Sequence, residues 1–396
     1  MRDIKLYLQD LQKIEQEMIK LRRHFHMNPE LSFKEVKTPE FIAEYLENLG
    51  LKVRRGVGKR EDFGGCGGVV ADICGKNDGP IIALRADFDA LPIQDEKEAP
   101  YRSKIDGIMH ACGHDAHTSS ILGIAKVLAE NNDFNGKIRF IFQFAEELAP
   151  GGAILMVEDG CLDGVDKVYA SHMASTLEYG IIGSRAGAIM AAADRFSIKI
   201  LGKGGHGASP HQTIDAIAIM ATVINAVQQI VSRRIDPLEQ AVVTIGQASA
   251  GSAFNIIADT AEMKGTVRTY SKEVQELAKN ELERIVAGVC TAFGAKYKLE
   301  YEYGYPAVIN NALEIEHFKN TTHKYLNGIK FEEIKPSMGG EDFAYFLQKA
   351  PGCFVFTGSG SSNNTRFAHH HPKFDLDERA ILTASQALLA TALNQR

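Results

Sequence analysis

Short apolar runs alternate with stretches of helical periodicity over much of this chain. GVVADI (68–73), PIIALRA (80–86), KIRFIFQFA (137–145), DKVYAS (166–171) and GCFVFTG (352–358) read as buried strands. Between them HTSSILGIAKVLAEN (117–131) carries the spacing of a helix, and residues 5–26 form one amphipathic helical pattern. Strands that alternate with helices imply a largely parallel sheet covered on both faces, an α/β domain. A final helix is expected to open at Asp375, with Glu378 three residues on as its capping pair, and to pack on that sheet through AILTASQALLATAL.

The middle of the chain has another rhythm. DRFSIKIL (194–201), AVVTIGQAS (241–249), AEMKGTVRT (261–269) and KYKLEYEY (296–303) alternate like strands, whereas 213–234 and 272–290 are helical. The order β-α-β-β-α-β is the split βαβ, ferredoxin-like unit, which can fold by itself. An inserted ferredoxin-like α+β domain is therefore expected at 187–304. It divides a catalytic α/β domain, with a mixed, largely parallel sheet, made of 1–186 and 305–396.

Composition narrows the setting. With 396 residues the chain has room for two or three domains, and 45% hydrophobic with 24% charged residues is ordinary for a folded enzyme. A formal net charge of −6 without a Lys/Arg-dense block argues against a nucleic-acid surface and favours small-molecule partners. The start is charged and periodic, and no run approaches the roughly 18 apolar residues of a membrane span, so a cytoplasmic location without a membrane partner is expected. The six cysteines (66, 74, 112, 161, 290, 353) are scattered without a C-x-x-C pair and are expected as free thiols.

The chemistry concentrates at the ends of predicted strands. In GIMHACGHDAHTSS (107–120), Cys112 and His114 stand two apart, a spacing for neighbouring ligands on a loop, and thiolate with imidazole suits zinc or a similar divalent ion. Taken alone, the segment also allows His110 and His117 to be helix-boundary or core histidines and Cys112 a buried thiol. FQFAEE then closes a strand with adjacent Glu146 and Glu147, costly there unless paired or metal-bound. Their side chains diverge, so one can ligate while the other meets a bound water. His172 ends the next strand, His369, His370 and His371 follow late in the chain, and LRADFDALP presents Asp87 and Asp89.

With these segments in view, the sequence resembles the amidohydrolase branch of the dinuclear metallopeptidases, which holds aminoacylases, hippurate hydrolase and auxin-conjugate hydrolases. The resemblance covers essentially the whole chain. It rests on RRHFHMNPELSFKE (22–35), LRADFDALPI (84–93), MHACGHDAH (109–117), FQFAEE (142–147), GGHGASPH (204–211), FNIIADTAEMKGTVRT (254–269), MGGEDF (338–343) and HHPKFDLDE (370–378). The pattern departs from the family after the Glu pair, where Leu148, Ala149 and Pro150 precede the glycines, and after His172, where MASTLEYG lacks a common proline.

The resemblance implies that Cys112, His114, Glu147, His172 and His370 bind two divalent ions (Zn, Mn or Co), with Cys112 bridging and Glu146 as general base. His370 is chosen from its triplet because it lies two residues before Pro372. Asp87 stands where peptidase relatives carry a histidine ligand, and it and Asp89 are expected to orient metal-bound imidazoles. His24 and His26 are expected to be satisfied by local hydrogen bonds. His206 resembles the family's oxyanion donor, and Asn255 and Arg268 are candidate substrate contacts, Arg268 for a carboxylate. The implied reaction is hydrolysis of N-acyl amino acids. A dipeptidase or carboxypeptidase is the alternative within that chemistry, and a noncatalytic metal-containing binding protein the alternative outside it. The resemblance also implies a homodimer built on the inserted domain, with His206 acting across the interface.

Overall fold

The apolar runs pair into one eight-stranded sheet in the computed structural model, which describes residues 2–395. In spatial order the strands are Lys52–Val57, Gly68–Cys74, Asn135–Gln143, Asn77–Asp87, Lys167–Glu178, Gly352–Gly360, Ile181–Ser184 and Lys330–Glu333. The four from Asn135–Gln143 to Gly352–Gly360 run parallel, and antiparallel pairings flank them on either side. Successive side chains of a strand point to opposite faces, and Ile82, Ala83 and Leu84 are all buried, so both faces of the centre are covered. Helices Glu15–Met27, His114–Glu130 and Arg379–Leu393 pack against one another, the latter two also against central strands. The register sets Asp87 beside Gln143 and Arg85 beside Ala170. The C-terminal ends of three adjacent parallel strands therefore share one edge, the usual ligand-binding edge of such sheets.

This sheet belongs to the first of two units: residues up to Ile189, Val308–Lys335, and the chain from Asp342 on. The second unit comprises Met190–Ala307 and Pro336–Glu341, a short late segment that the strand pattern does not signal. Its four-stranded antiparallel sheet has the order Ala241–Ala250, Thr260–Thr269, Ala192–Leu201, Lys296–Tyr305. Helices Ala216–Val227 and Lys272–Ala292 cover one face of it, giving the two-layer ferredoxin-like arrangement. Ile198, Ile200, Val223, Met263 and Leu282 fill the space between the layers.

Two elements differ from the pattern reading. The amphipathic segment 5–26 is two helices, Ile4–Lys13 and Glu15–Met27, broken at Ile14. Buried Leu11, Met18, Arg22 and Phe25 keep one helical periodicity across that break, so the pattern alone does not reveal it. The last helix begins at Arg379, not Asp375. Instead of capping, Asp375 accepts from Arg22 Nη2 (2.9 Å) and Tyr101 Oη (2.8 Å), and Glu378 accepts from Arg23 through two bonds of 2.9 and 2.6 Å. Among the described residues no helix is long and apolar enough to cross a membrane.

Candidate metal centre

Each polar cluster is delivered to the shared strand edge by its own device. Cys112 precedes the helix His114–Glu130, and Gly113 between them is left-handed at φ +100°. A Cβ at Gly113 would meet Met173 Cβ at 3.0 Å, so a residue with a side chain would be strained in its backbone and crowded by Met173. That turn lets Cys112 and His114 face one point despite lying on either side of a helix start. Glu146 and Glu147 follow Ala145, itself left-handed at φ +50°, just beyond the strand Asn135–Gln143. His172 lies within the strand Lys167–Glu178. His370, at φ +64°, donates its N–H to Ala111 O (2.8 Å), tying the histidine triplet to the cysteine loop.

The resulting donors form overlapping clusters. Ligand atoms of Cys112, His114 and His172 lie within 4.8 Å of one another, and so do those of Cys112, Glu147 and His370. Cys112 belongs to both, with its Sγ 3.5 Å from His172 Nε2. His370 Nε2 is 3.2 Å from Glu147 Oε1. His114 Nε2 stands 3.9 Å from Glu147 Oε1 and 4.0 Å from Glu146 Oε2. Of the triplet, His370 thus reaches the acid pair, whereas His369 packs its ring on His172, with centroids 5.1 Å apart.

Ring tautomers fit metal ligation. His114 Nδ1 faces Asp89 O (3.0 Å) and Asp89 Oδ1 (3.1 Å), so it carries the proton and donates. His172 Nδ1 likewise donates to Met173 O (2.7 Å). Both Nε2 lone pairs then point into the cluster, and His114 Nε2, fully buried, has no hydrogen-bond partner. An orphaned buried acceptor is rare unless something fills its place. Charge tells the same story. Burial pushes the Cys112 thiol well above its usual range, and Glu147, Glu146 and Asp87 add to the rise. Burial alone would lower His114, yet Asp87, Asp89 and Glu147 raise it to about 10, so without a cation Nε2 holds a second proton, the place that a bound ion would take. So many buried acids around one thiol and one orphaned imidazole call for cations, and a thiolate, imidazole and carboxylate set suits divalent transition ions.

A layer of polar side chains fixes these donors. Asp87 is held well below the carboxylate range: burial opposes ionisation, but Arg85, His114 and His117 outweigh it. Arg85 Nη1 donates to Asp87 (2.7 Å), and Asp87 Oδ1 meets His117 Nδ1 at 2.6 Å. Because His117 Nε2 accepts the Met173 N–H (2.8 Å), its proton sits on Nδ1 and both ring nitrogens are engaged. His117 is therefore an orienting group and not a ligand. In MGGEDF, Asp342 accepts from Arg85 Nη2 (3.0 Å), Gln143 Nε2 (2.8 and 2.7 Å) and Ala153 N (3.1 Å). Asp89 Oδ2 accepts the Glu147 N–H (2.9 Å), so one aspartate orients His114 and holds the backbone of Glu147. His26 is not satisfied locally: it lies 2.7 Å from Asp115 and 3.2 Å from Asp95, in a buried network with Arg22 and Lys97.

His206, Asn255 and Arg268 belong to the second unit. His206 and Asn255 are exposed, and the short strands Gly205–His206 and Ile256–Ile257 pair beside them. His206 Nδ1 accepts the Ala208 N–H (3.1 Å), which leaves the ring proton on Nε2 as a donor. Arg268 is half-buried; burial and nearby Arg195 lower its pKa, with Asp194 acting the other way. Sequence reasoning left Arg85, His117 and Asp342 without roles. The spacing of Arg85, Asp87 and Asp89, alternate positions at the end of an apolar strand, is the signal that could have found the first.

Comparison with known proteins adds to this geometry. The family described as Peptidase family M20/M25/M40 matches residues 83–394. The chain is 48% identical over 300 residues to an N-acyl-L-amino acid amidohydrolase of Geobacillus stearothermophilus, covering 75% of this chain and 79% of that protein. It is 42% identical over 384 residues to an N-acetyl-L-cysteine deacetylase of Bacillus subtilis, covering 97% and 89%. Among solved structures, the Bacillus subtilis YXEP protein, described as a dinuclear metal binding peptidase from the M20 family, superimposes with a TM-score of 0.82 at 37% identity, over 96% of this chain and 98% of that one.

Proposed function

The chain belongs to peptidase family M20/M25/M40 and is a metal-dependent amidohydrolase; on that premise we propose that it cleaves N-acyl amino acids at Glu146, beside two divalent ions held by Cys112, His114, Glu147, His172 and His370. The observation that carries the proposal is the sharing of Cys112 between two ligand clusters, one completed by His114 and His172, the other by Glu147 and His370. Zinc, manganese or cobalt suits this donor set. When bound, the ions would supply polarisation of the scissile carbonyl and a lowered pKa for the attacking water. Glu146, buried next to His114, would serve as the general base, taking a proton from the attacking water and returning it to the leaving amine. His206 Nε2–H is the donor to the developing oxyanion, Arg268 grips the substrate carboxylate, and Asn255 is a further substrate contact. Free Cys66, Cys74, Cys112, Cys161, Cys290 and Cys353 support a reducing, cytoplasmic setting.

The reading is tested by turnover of the metal-loaded protein on N-acetyl, N-benzoyl and indole-acyl amino acids beside plain dipeptides. Release of free amino acid from at least one acyl class, at higher kcat/KM than from any dipeptide, is expected. Faster dipeptide cleavage would make the protein a peptidase instead.

A homodimer in which His206 serves its partner's site is part of the same proposal. The exposed edge strand Ala241–Ala250 and exposed Leu238, Phe254 and Ile256 on the second unit support it. His206→Ala should lose about 10²–10³-fold in kcat, as other oxyanion donors do. Mixing it with Glu146→Gln should restore about a quarter of parental activity, since half the dimers are mixed and one site of each holds both residues. No recovery despite subunit exchange would remove His206 from a shared site.

A further inference from the structure

The segment RRHFHMNPELSFKE belongs to no ligand set, yet it runs along the metal centre and bonds to the residues that carry it. Glu30 O accepts the Ala90 N–H (2.8 Å), and Leu31 bridges to Ala90. Ser32 Oγ donates to Asp89 Oδ2 (2.7 Å), the oxygen that also holds the Glu147 N–H. Glu35, 2% exposed, accepts the Ala145 N–H at 2.8 Å. Ala145 is the left-handed residue immediately before Glu146, a conformation disfavoured for any residue with a Cβ. Its carbonyl accepts from Gly152 N–H (3.0 Å), so the turn is held from both sides.

We infer that Glu35 is a positioning residue: by accepting the Ala145 N–H it keeps the backbone left-handed there and so aims Glu146 apart from Glu147. This rests on the proposed role of Glu146 as base. Without an acceptor the Ala145 N–H is buried and unpaired, and residue 145 relaxes to negative φ, which rotates the peptide that carries Glu146. Burial, with Asp89 nearby, pushes the Glu35 carboxyl up to about 8. Near neutral pH it therefore acts as an uncharged acceptor, a part that a glutamine carbonyl can also play.

The test uses the full, metal-loaded chain. Glu35→Leu fills the space without an acceptor and should lower kcat about 10²-fold, the scale of an ångström-sized misplacement, with KM and metal content at parental levels. Glu35→Gln should stay within about threefold of the parent, because it preserves the bond. Adding Ala145→Gly to Glu35→Leu should recover about tenfold, because glycine adopts positive φ freely. A crystal structure of Glu35→Leu should show residue 145 out of the left-handed region, and one of Glu35→Gln should show it unmoved. Retained kcat in Glu35→Leu, an equal loss in Glu35→Gln, or an unmoved residue 145 in Glu35→Leu each overturns the inference. Should Glu35→Leu not fold, Glu35→Met, which also lacks an acceptor oxygen, takes its place with the same expected loss and the same overturning result. Glu146→Gln is measured alongside: parental turnover there removes the base assignment, whereas an inactive Glu146→Gln with an active Glu35→Leu overturns only the role of Glu35.

Discussion

Glu146→Gln is expected to bind as much metal as the parent and to lose about 10²–10⁴-fold in kcat, the span that a general base contributes. Glu147→Gln is expected to lose metal as well as turnover. The asymmetry comes from placement. Glu147 Oε1 lies 3.2 Å from His370 Nε2 and shares a cluster with Cys112, whereas Glu146, 4.0 Å from His114 Nε2, shares a cluster with His114 and Glu147 but none with Cys112 among the described residues. Glutamine keeps the size of either side chain, so cavity effects are small and the charge alone changes. Elemental analysis of both dialysed variants beside single-turnover kinetics provides the measurement. Equal metal loss in the two would mean that both ligate, and parental turnover in Glu146→Gln would require another base.

Chelation is expected to abolish hydrolysis, and zinc, manganese or cobalt to restore it. Stripping the ions should also lower thermal stability by an amount that depends on metal concentration. A ligand bound only by the folded state adds about 2.7 kcal/mol at a hundred times its Kd, and two ions add accordingly. The buried donor set is the physical reason: Glu147, Glu146 and Asp87 surround the Cys112 thiol and raise its pKa, and a cation removed leaves these acids without its counter-charge. Calorimetry of chelated and reconstituted protein checks this independently of activity. Full turnover after exhaustive chelation would end the metal proposal.

What could be read from the sequence was the chemistry that must sit at a strand end. Glu146, Glu147, His172, Asp87 and Asp89 each follow an apolar run, and parallel strands bring such ends to one edge whatever their order. The fold class followed from the same alternation. Lys52–Val57 escaped because KVRRGV is a partly exposed edge strand whose polar residues look like a loop. The supports of the site escaped for a different reason. Ser32 meets Asp89 and Glu35 meets Ala145 across 57 and 110 residues of chain, and Arg22 finds Asp375 at a separation of 353. No local period encodes such partners. Asp375 and Glu378 even mislead, since their capping spacing is real but their carboxylates are taken by Arg22, Arg23 and Tyr101.

The strand Gly352–Gly360 lies between Lys167–Glu178 and Ile181–Ser184, two segments that are neighbours in the chain. As the polypeptide leaves the ribosome, the gap it fills stays open until some 180 further residues have been made, because synthesis proceeds at about 5–20 residues per second. The second unit, contiguous over Met190–Ala307, has every strand of its sheet in hand long before then. The first unit must wait for late chain to complete its centre, and for His370 beyond it. Over those seconds the apolar edge of Lys167–Glu178 has no cover from its native partner, which gives nascent chains a window for edge-to-edge aggregation that the finished protein lacks.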